Sequence, residues 1–213
     1  MIITIIEYGL GNPLSIKNML KKVGVGNVRI SYAKEDLKDA DLLILPGVGH
    51  FEQGMKNLKE NDLQETLNEL VLVQKKPILG ICLGMQLMTN YSEEGNCEGL
   101  AWIDAETKKF AFHEKAIKVP HMGWTDTHFL QSPFNEIRFE EDMPRFYHVH
   151  SYFVDCKQEE DVLSTASYGG KIFHNGFKKG NIMGVQFHPE KSHVFGICFF
   201  KSLIHYLEKN NEQ

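Results

Sequence analysis

Two periods of apolar spacing alternate through the first part of the chain. Residues 2–7 are apolar almost throughout, as in a strand buried on both faces, and they run into the glycine turn Tyr8-Gly9-Leu10-Gly11-Asn12. Asn12 then stands as a helix cap before Pro13, whose fixed φ suits a first helical position. Ile16, Met19, Leu20 and Val23 recur at helical spacing, and Gly24 ends that helix. Residues 28–32 and 41–45 read as a second and a third strand, the third closed by Pro46-Gly47-Val48-Gly49. A longer amphipathic helix around Leu63, Thr66, Leu67 and Leu70 leads to a fourth strand beginning at Pro77. Strands and helices alternating through short glycine turns predict a parallel sheet covered on both faces.

The spacing changes in the second half. From about residue 101 to 177 the chain shows short aromatic and β-branched runs, among them 145–154, 162–168 and 171–174, broken by Gly, Pro, Asn and Asp. Such runs predict antiparallel strands and hairpins. Residues 181–187 read as a strand again, and 192–209 as a closing helix with Phe195, Phe199, Leu203 and Tyr206 on one side. The polar tail 209–213 reads as a frayed end. With no repeat, low-complexity segment or linker, the pattern predicts one α/β domain over 1–213. Its central sheet is expected to be mostly parallel and flanked by helices, with an antiparallel appendage from the second half.

Composition narrows the class. A chain of 213 residues is long enough to bury a substantial core. The formal net charge is −5 and Lys and Arg form no stripe, which argues against a nucleic-acid partner. The apolar run at 2–6 is too short for a signal peptide and lacks a basic lead-in. No stretch approaches the roughly 18 apolar residues of a membrane span. The scattered cysteines Cys82, Cys97, Cys156 and Cys198 read as reduced thiols. A cytoplasmic protein with no membrane partner is expected.

The chemistry concentrates in Pro77-Ile78-Leu79-Gly80-Ile81-Cys82-Leu83-Gly84-Met85-Gln86, a strand entering Gly-x-Cys-x-Gly and then a helix. This is the cysteine form of a nucleophile elbow, in which a tight turn lifts the reactive atom above the sheet edge. The glycines leave room for that turn, and a helix N-terminus favours the attacking thiolate. A nucleophile needs a base and a group to orient the base. Both stand in Val185-Gln186-Phe187-His188-Pro189-Glu190, where residues two apart on an extended backbone share a side. Pro46-Gly47-Val48-Gly49, with the Leu83 amide, offers donors for an oxyanion hole. His148 and His150 share one strand face and could bind a metal, but the sequence shows no third ligand, so no metal site is assigned. Gly9-x-Gly11 lacks the remainder of a dinucleotide fingerprint. From the residues alone, a stand-alone cysteine hydrolase of peptides or amides stays open, as does a silent scaffold.

Gly-Ile-Cys-Leu-Gly-Met-Gln and Val-Gln-Phe-His-Pro-Glu-Lys-Ser resemble the class I, triad-type glutamine amidotransferases. Tyr8-Gly9-Leu10-Gly11-Asn12, Leu45-Pro46-Gly47-Val48-Gly49, Lys118-Val119-Pro120-His121-Met122-Gly123-Trp124 and Val149-His150-Ser151-Tyr152 narrow the resemblance to the glutaminase subunits of imidazole glycerol phosphate synthases. It runs from residue 1 to the closing helix. The resemblance implies Cys82 as nucleophile, His188 as base and then acid, and Glu190 as its orienter. Gly47, Val48, Gly49 and Leu83 would form the oxyanion hole, and Gln86 and Ser151 would hold L-glutamine. Asn12, Pro120, His121, Met122 and Trp124 would face a cyclase-type (β/α)8 barrel synthase subunit in a heterodimer. That partner would use the ammonia to make imidazole glycerol phosphate and aminoimidazole carboxamide ribonucleotide in histidine biosynthesis. No metal or organic cofactor is implied. Glu7, Thr125, His50 and His148 depart from the usual pattern of that subunit type. The family also includes paralogues that supply ammonia to a sugar-amidinating enzyme of surface-glycan synthesis, and the residues from 190 to 196 and from 152 to 156 have some likeness to them.

Overall fold

The computed structural model describes residues 1–114, 116–135 and 143–211. Its first half runs Ile2–Ile6 (β1), Pro13–Lys22 (α1), Asn27–Ser31 (β2), Lys34–Asp39 (α2) and Leu42–Leu45 (β3). Phe51–Glu60 (α3), Leu63–Asn68 (α4), Ile78–Ile81 (β4) and Leu83–Leu87 (α5) follow. The second half contributes Tyr91–Ser92 (β5), Cys97–Glu98 (β6), Ala105–Lys109 (β7), His121–Phe129 (β8), Arg145–His150 (β9) and Tyr152–Cys156 (β10). It continues through Val162–Tyr168 (β11), Lys171–Lys179 (β12) and Ile182–Val185 (β13) to the closing helix His193–Asn211 (α6).

The strands β2-β1-β3-β4-β13 lie side by side and all pair in parallel. From β13 the sheet continues through β12, β10 and β7 in antiparallel pairs, with β11, β8 and β9 branching from β12. The predicted mostly parallel sheet with an antiparallel addition is the observed architecture. Alternation along each inner strand sends one set of side chains to each face. Ile3, Ile5, Leu42 and Ile44 pack with Ile16, Met19 and Leu20 of α1 and with Phe199, Phe200 and Leu203 of α6. Ile6, Leu43 and Leu45 pack instead against Leu37, Phe51, Leu58, Leu63 and Leu67 from α2, α3 and α4. Each fully buried Leu, Ile or Phe contributes about 1.5–3 kcal/mol, so the two layers clamp the sheet between them.

This order places three loops together. β3, β4 and β13 are parallel neighbours, so the turns after Leu45, Ile81 and Val185 leave the same sheet edge. Crevices at that carboxyl edge are where such sheets bind ligands.

Several boundaries differ from the sequence expectation. Asn12 accepts from the Ser15 amide (3.2 Å) and caps α1 as expected. The long helix expected around Leu63–Leu70 breaks after Asn68 into a wider turn over Glu69–Val73, which lets the adjacent Leu70 and Val71 both reach the core. The run 145–154 is two strands that part at Ser151, because β9 pairs with β8 while β10 pairs with β7 and β12. Apolar alternation continues across that change of partner and does not reveal it. Two helices escape the apolar pattern: α2 buries only Leu37, and the ten-residue α3 buries Phe51, Gly54 and Leu58, with Met55 partly buried beside them and the rest polar.

Candidate active site

Cys82 sits between β4 and α5 with φ 54° and ψ −110°, the strained backbone that an elbow demands. Its amide donates to the Val185 carbonyl (2.8 Å), tying the elbow to the neighbouring strand. Gly80 and Gly84 make the turn possible. A Cβ at 80 would stand 2.7 Å from the Gly84 carbonyl oxygen, and one at 84 would strike the Leu45 carbonyl.

His188 follows β13 and is fixed from both sides. Its amide donates to the Tyr147 carbonyl (2.9 Å), and its own carbonyl accepts from the Ser192 hydroxyl (2.6 Å). Ser192 in turn accepts from the Tyr147 amide (3.0 Å), so β9 holds the loop in place. His188 Nδ1 lies 2.7 Å from Glu190 Oε1, with both side chains 3% exposed. The pair arises from an extended His188 followed by a tight turn over Pro189–Lys191, rather than from a continuing strand. Burial disfavours a charge on the imidazole, but the Cys82 thiolate and the Glu190 carboxylate outweigh it and raise its pKa to about 10. His188 is therefore an imidazolium at neutral pH, with a proton to give.

A cavity of about 180 Å³ opens beside Cys82, lined among others by Val48, Gly49, Cys82, Leu83, Gln86, Pro120 and Ser151. It is smaller than a drug-sized site and suits a compact metabolite. Gly47 lies beneath it, where a Cβ would meet Leu83 and Gly84 at 2.7–2.8 Å. The Leu83 amide donates to the Gly47 carbonyl (3.3 Å), so in this conformation the expected oxyanion donor is engaged by the very segment expected to supply the others. Gln86 is anchored through Nε2 to the Tyr152 carbonyl (3.2 Å) and Gln186 Oε1 (3.0 Å).

Of the five residues expected at a partner surface, Asn12, Pro120, Met122 and Trp124 are exposed, and Asn12 also borders a crevice beside His188 and Glu190. His121 turns inward instead, because it alternates with Met122 along β8 and shares the buried side of the strand.

Sequence reasoning missed four residues. Gln186 Nε2 stands 3.7 Å from Cys82 Sγ, and its place two residues before His188 on one strand face was a usable signal. Tyr8 donates to the Pro46 carbonyl (2.7 Å); burial, and then the Cys82 charge, keep its phenol protonated. Glu94 brings a carboxylate to the cavity wall while accepting from the Phe51 amide (2.8 Å). Ser192 locks the histidine loop. Nothing local in sequence marked the last three, since each makes a contact with a segment distant along the chain, Ser192 through the Tyr147 amide.

A buried cysteine, a histidine and a carboxylate near a small polar cavity are the groups that acyl transfer from an amide requires. The family model for class-I glutamine amidotransferases matches residues 4–200. Over 203 residues the chain is 47% identical to "Imidazole glycerol phosphate synthase subunit HisH 2" of Methanococcus maripaludis, covering 95% of this chain and 98% of that one. It is 46% identical over 205 residues to "Imidazole glycerol phosphate synthase subunit HisH 1" of Campylobacter jejuni, with 95% and 98% covered. Among solved structures, a glutamine amidotransferase from Thermotoga maritima superposes with TM-score 0.61 at 18% identity, covering 99% of this chain and 85% of that one.

Proposed function

The chain belongs to the class-I glutamine amidotransferase family, and on that premise we propose that it is the glutaminase subunit of an imidazole glycerol phosphate synthase. It hydrolyses L-glutamine to glutamate and ammonia and delivers the ammonia to a cyclase-type barrel subunit in a heterodimer. The observation that carries this reading is Cys82 in the wall of a cavity that Gln86 and Ser151 also line, together with the buried His188–Glu190 pair, 2.7 Å apart, whose imidazole interacts with Cys82. The 46–47% identity to whole-length synthase subunits supports the choice of partner.

Cys82 Sγ attacks the carboxamide carbon, and the oxygen takes the negative charge. His188 gives its proton to the departing nitrogen, the C–N bond breaks, and ammonia leaves a thioester on Cys82. His188, now neutral, takes a proton from water, whose oxygen adds to the thioester and releases glutamate. Glu190 holds the ring so that Nε2 faces sulfur. Gln86 and Ser151 hold the substrate, and the Glu94 carboxylate suits its ammonium group. For Leu83 and the Gly47–Gly49 segment to serve the oxyanion, the Leu83–Gly47 hydrogen bond must first open. That requirement fits a glutaminase that is slow alone and is activated by its partner.

The test is the glutaminase rate with and without a purified histidine-pathway cyclase and its aminoimidazole ribonucleotide substrate. A large partner-dependent rise is expected. No binding and no rise, with Cys82 still labelled by a glutamine-analogue electrophile, would assign the ammonia to another acceptor, such as a sugar-amidinating enzyme.

A further inference from the structure

Behind the glutamine cavity lies a group of side chains that the reaction above does not use. β8 and β9 pair in antiparallel register, with His121 opposite His150 and Gly123 opposite His148. Alternation puts His121, His148 and His150 on one side of this ladder, and all three are buried at 0–6% exposure. Phe110, Tyr168 and Phe173 surround them, Tyr168 stacking on His121 at 4.0 Å between ring centres.

The hydrogen bonds specify tautomers. His150 Nδ1 is 2.7 Å from the Tyr152 carbonyl, which can only accept, so Nδ1 carries the proton and Nε2 keeps a lone pair. His148 Nδ1 lies 3.0 Å from that Nε2 and must be the donor, which leaves a lone pair on His148 Nε2. His121 bonds Thr125 Oγ1 through Nε2 at 2.7 Å. His148 Nε2 and His121 Nδ1 are then both buried without a partner. Burial holds all three rings neutral, His121 down to about 4, His150 to about 3, and His148 well below its ordinary value. Neutral imidazoles are the form that binds metal.

We propose that His121, His148 and His150 form a three-histidine site for a divalent zinc-type cation that cross-links β8 to β9 beside the glutamine cavity, whose wall includes His150. One ring nitrogen from each residue can be chosen so that all lie within 4.8 Å of one another. Ligands at about 2.0–2.1 Å around a tetrahedral ion stand roughly 3.4 Å apart. Closure therefore takes ring movements of about an ångström, which break the His148–His150 hydrogen bond to free the His150 Nε2 lone pair and open the 20° stack of His121 on His148. The set leaves a fourth position for water or an anion. The Tyr152 carbonyl already supplies the outer hydrogen bond that aims a metal-binding histidine. His188 is the nearby cation acting on His148 and His150, and its charge is balanced by Cys82 and Glu190. The sequence offered only the His148-x-His150 pair; the fold brings the third ligand from another strand.

The test uses chelator-stripped full-length Cys82→Ala protein, so that the thiolate cannot bind the probe, and titrates it with Zn²⁺ alone and with Co²⁺ alone. One equivalent of zinc should bind, melting should shift upward, and cobalt should show tetrahedral bands without thiolate charge transfer. Adding His148→Phe, which suits a ring flanked by Phe173 and Phe187, should weaken zinc by more than the roughly 100-fold that an outer-shell change can cost, and abolish the melting shift. His121→Asn should do the same, each variant being checked by circular dichroism for native fold. Zinc binding that survives either change in a folded protein, or no stoichiometric binding by the Cys82→Ala parent, would overturn the proposal.

Discussion

Cys82 holds a backbone conformation that costs a non-glycine residue about 1–3 kcal/mol, and the surrounding chain has to impose it. Gly84 is the most exacting part of that frame, because its missing Cβ would meet a backbone carbonyl that no side-chain rotation can relieve. Gly84→Ala should therefore cost at least about 3 kcal/mol, roughly 10 °C in Tm for a chain of this size, measured by thermal melting. Cys82→Ala, in contrast, should keep the fold and abolish glutamine-dependent synthesis while leaving the partner's ammonia-dependent reaction intact. Retained glutaminase turnover would contradict the assignment. His188 adds a pH signature. Its folded pKa of about 10 exceeds the ordinary histidine value of about 6.5, so its contribution is full below pH 6.5 and is lost as pH rises through 10. Denaturant unfolding from pH 7 to pH 10.5 should show the wild type losing more stability than His188→Asn. The proposed nucleophile and base stand out in the sequence because short-range geometry places them, through glycine spacing at the elbow and residues two apart after a strand. Glu94, Tyr8 and Ser192 do not, because their roles come from contacts across 38 or more residues, as between Tyr8 and Pro46, or from a turn that only the fold defines.

At the scale of elements, the parallel half was readable because each inner strand is buried on both faces and says so in its composition. The antiparallel half was harder. β9 and β10 read as one run, and nothing in apolar alternation tells which neighbour a strand will choose. The same blindness hid the histidine cluster, since His121 and His150 are 29 positions apart and meet only through the β8–β9 register. That cluster predicts acid sensitivity. The folded pKa values of His121 and His150 lie below 6.5, so the unfolded chain binds more protons between about pH 6.5 and pH 3–4. Stability should be full above pH 6.5 and fall as pH is lowered through that window. His148→Phe removes one ring buried in its neutral form, so it should flatten the fall relative to wild type in metal-free buffer. An unchanged pH slope in that variant would mean that the cluster titrates as freely in the fold as out of it.

Across the whole molecule, the ladder that buries its histidines presents its other side outward, with Met122 62% and Trp124 43% exposed. Trp124 is pre-set by a stack on His193 (5.5 Å between centres, 14°) and an edge contact with Tyr147, whose amide and carbonyl hold the catalytic loop. One surface thus touches both what a partner would grip and what positions His188. Large exposed apolar side chains held rigid in this way are the kind that dominate binding energy at an interface. Trp124→Ala should weaken binding to the cyclase-type partner by about 30-fold or more, following a hot-spot loss of at least about 2 kcal/mol. Titrating the partner into a glutaminase assay reads this as a higher half-saturating concentration. Labelling of Cys82 by a glutamine-analogue electrophile serves as the control, because that reaction depends on the cavity and not on the outer face. If the variant bound its partner normally yet reached a lower saturated rate, Trp124 would be transmitting activation to the His188 loop and adding little to the grip. If labelling failed as well, the ladder would be holding the cavity itself together.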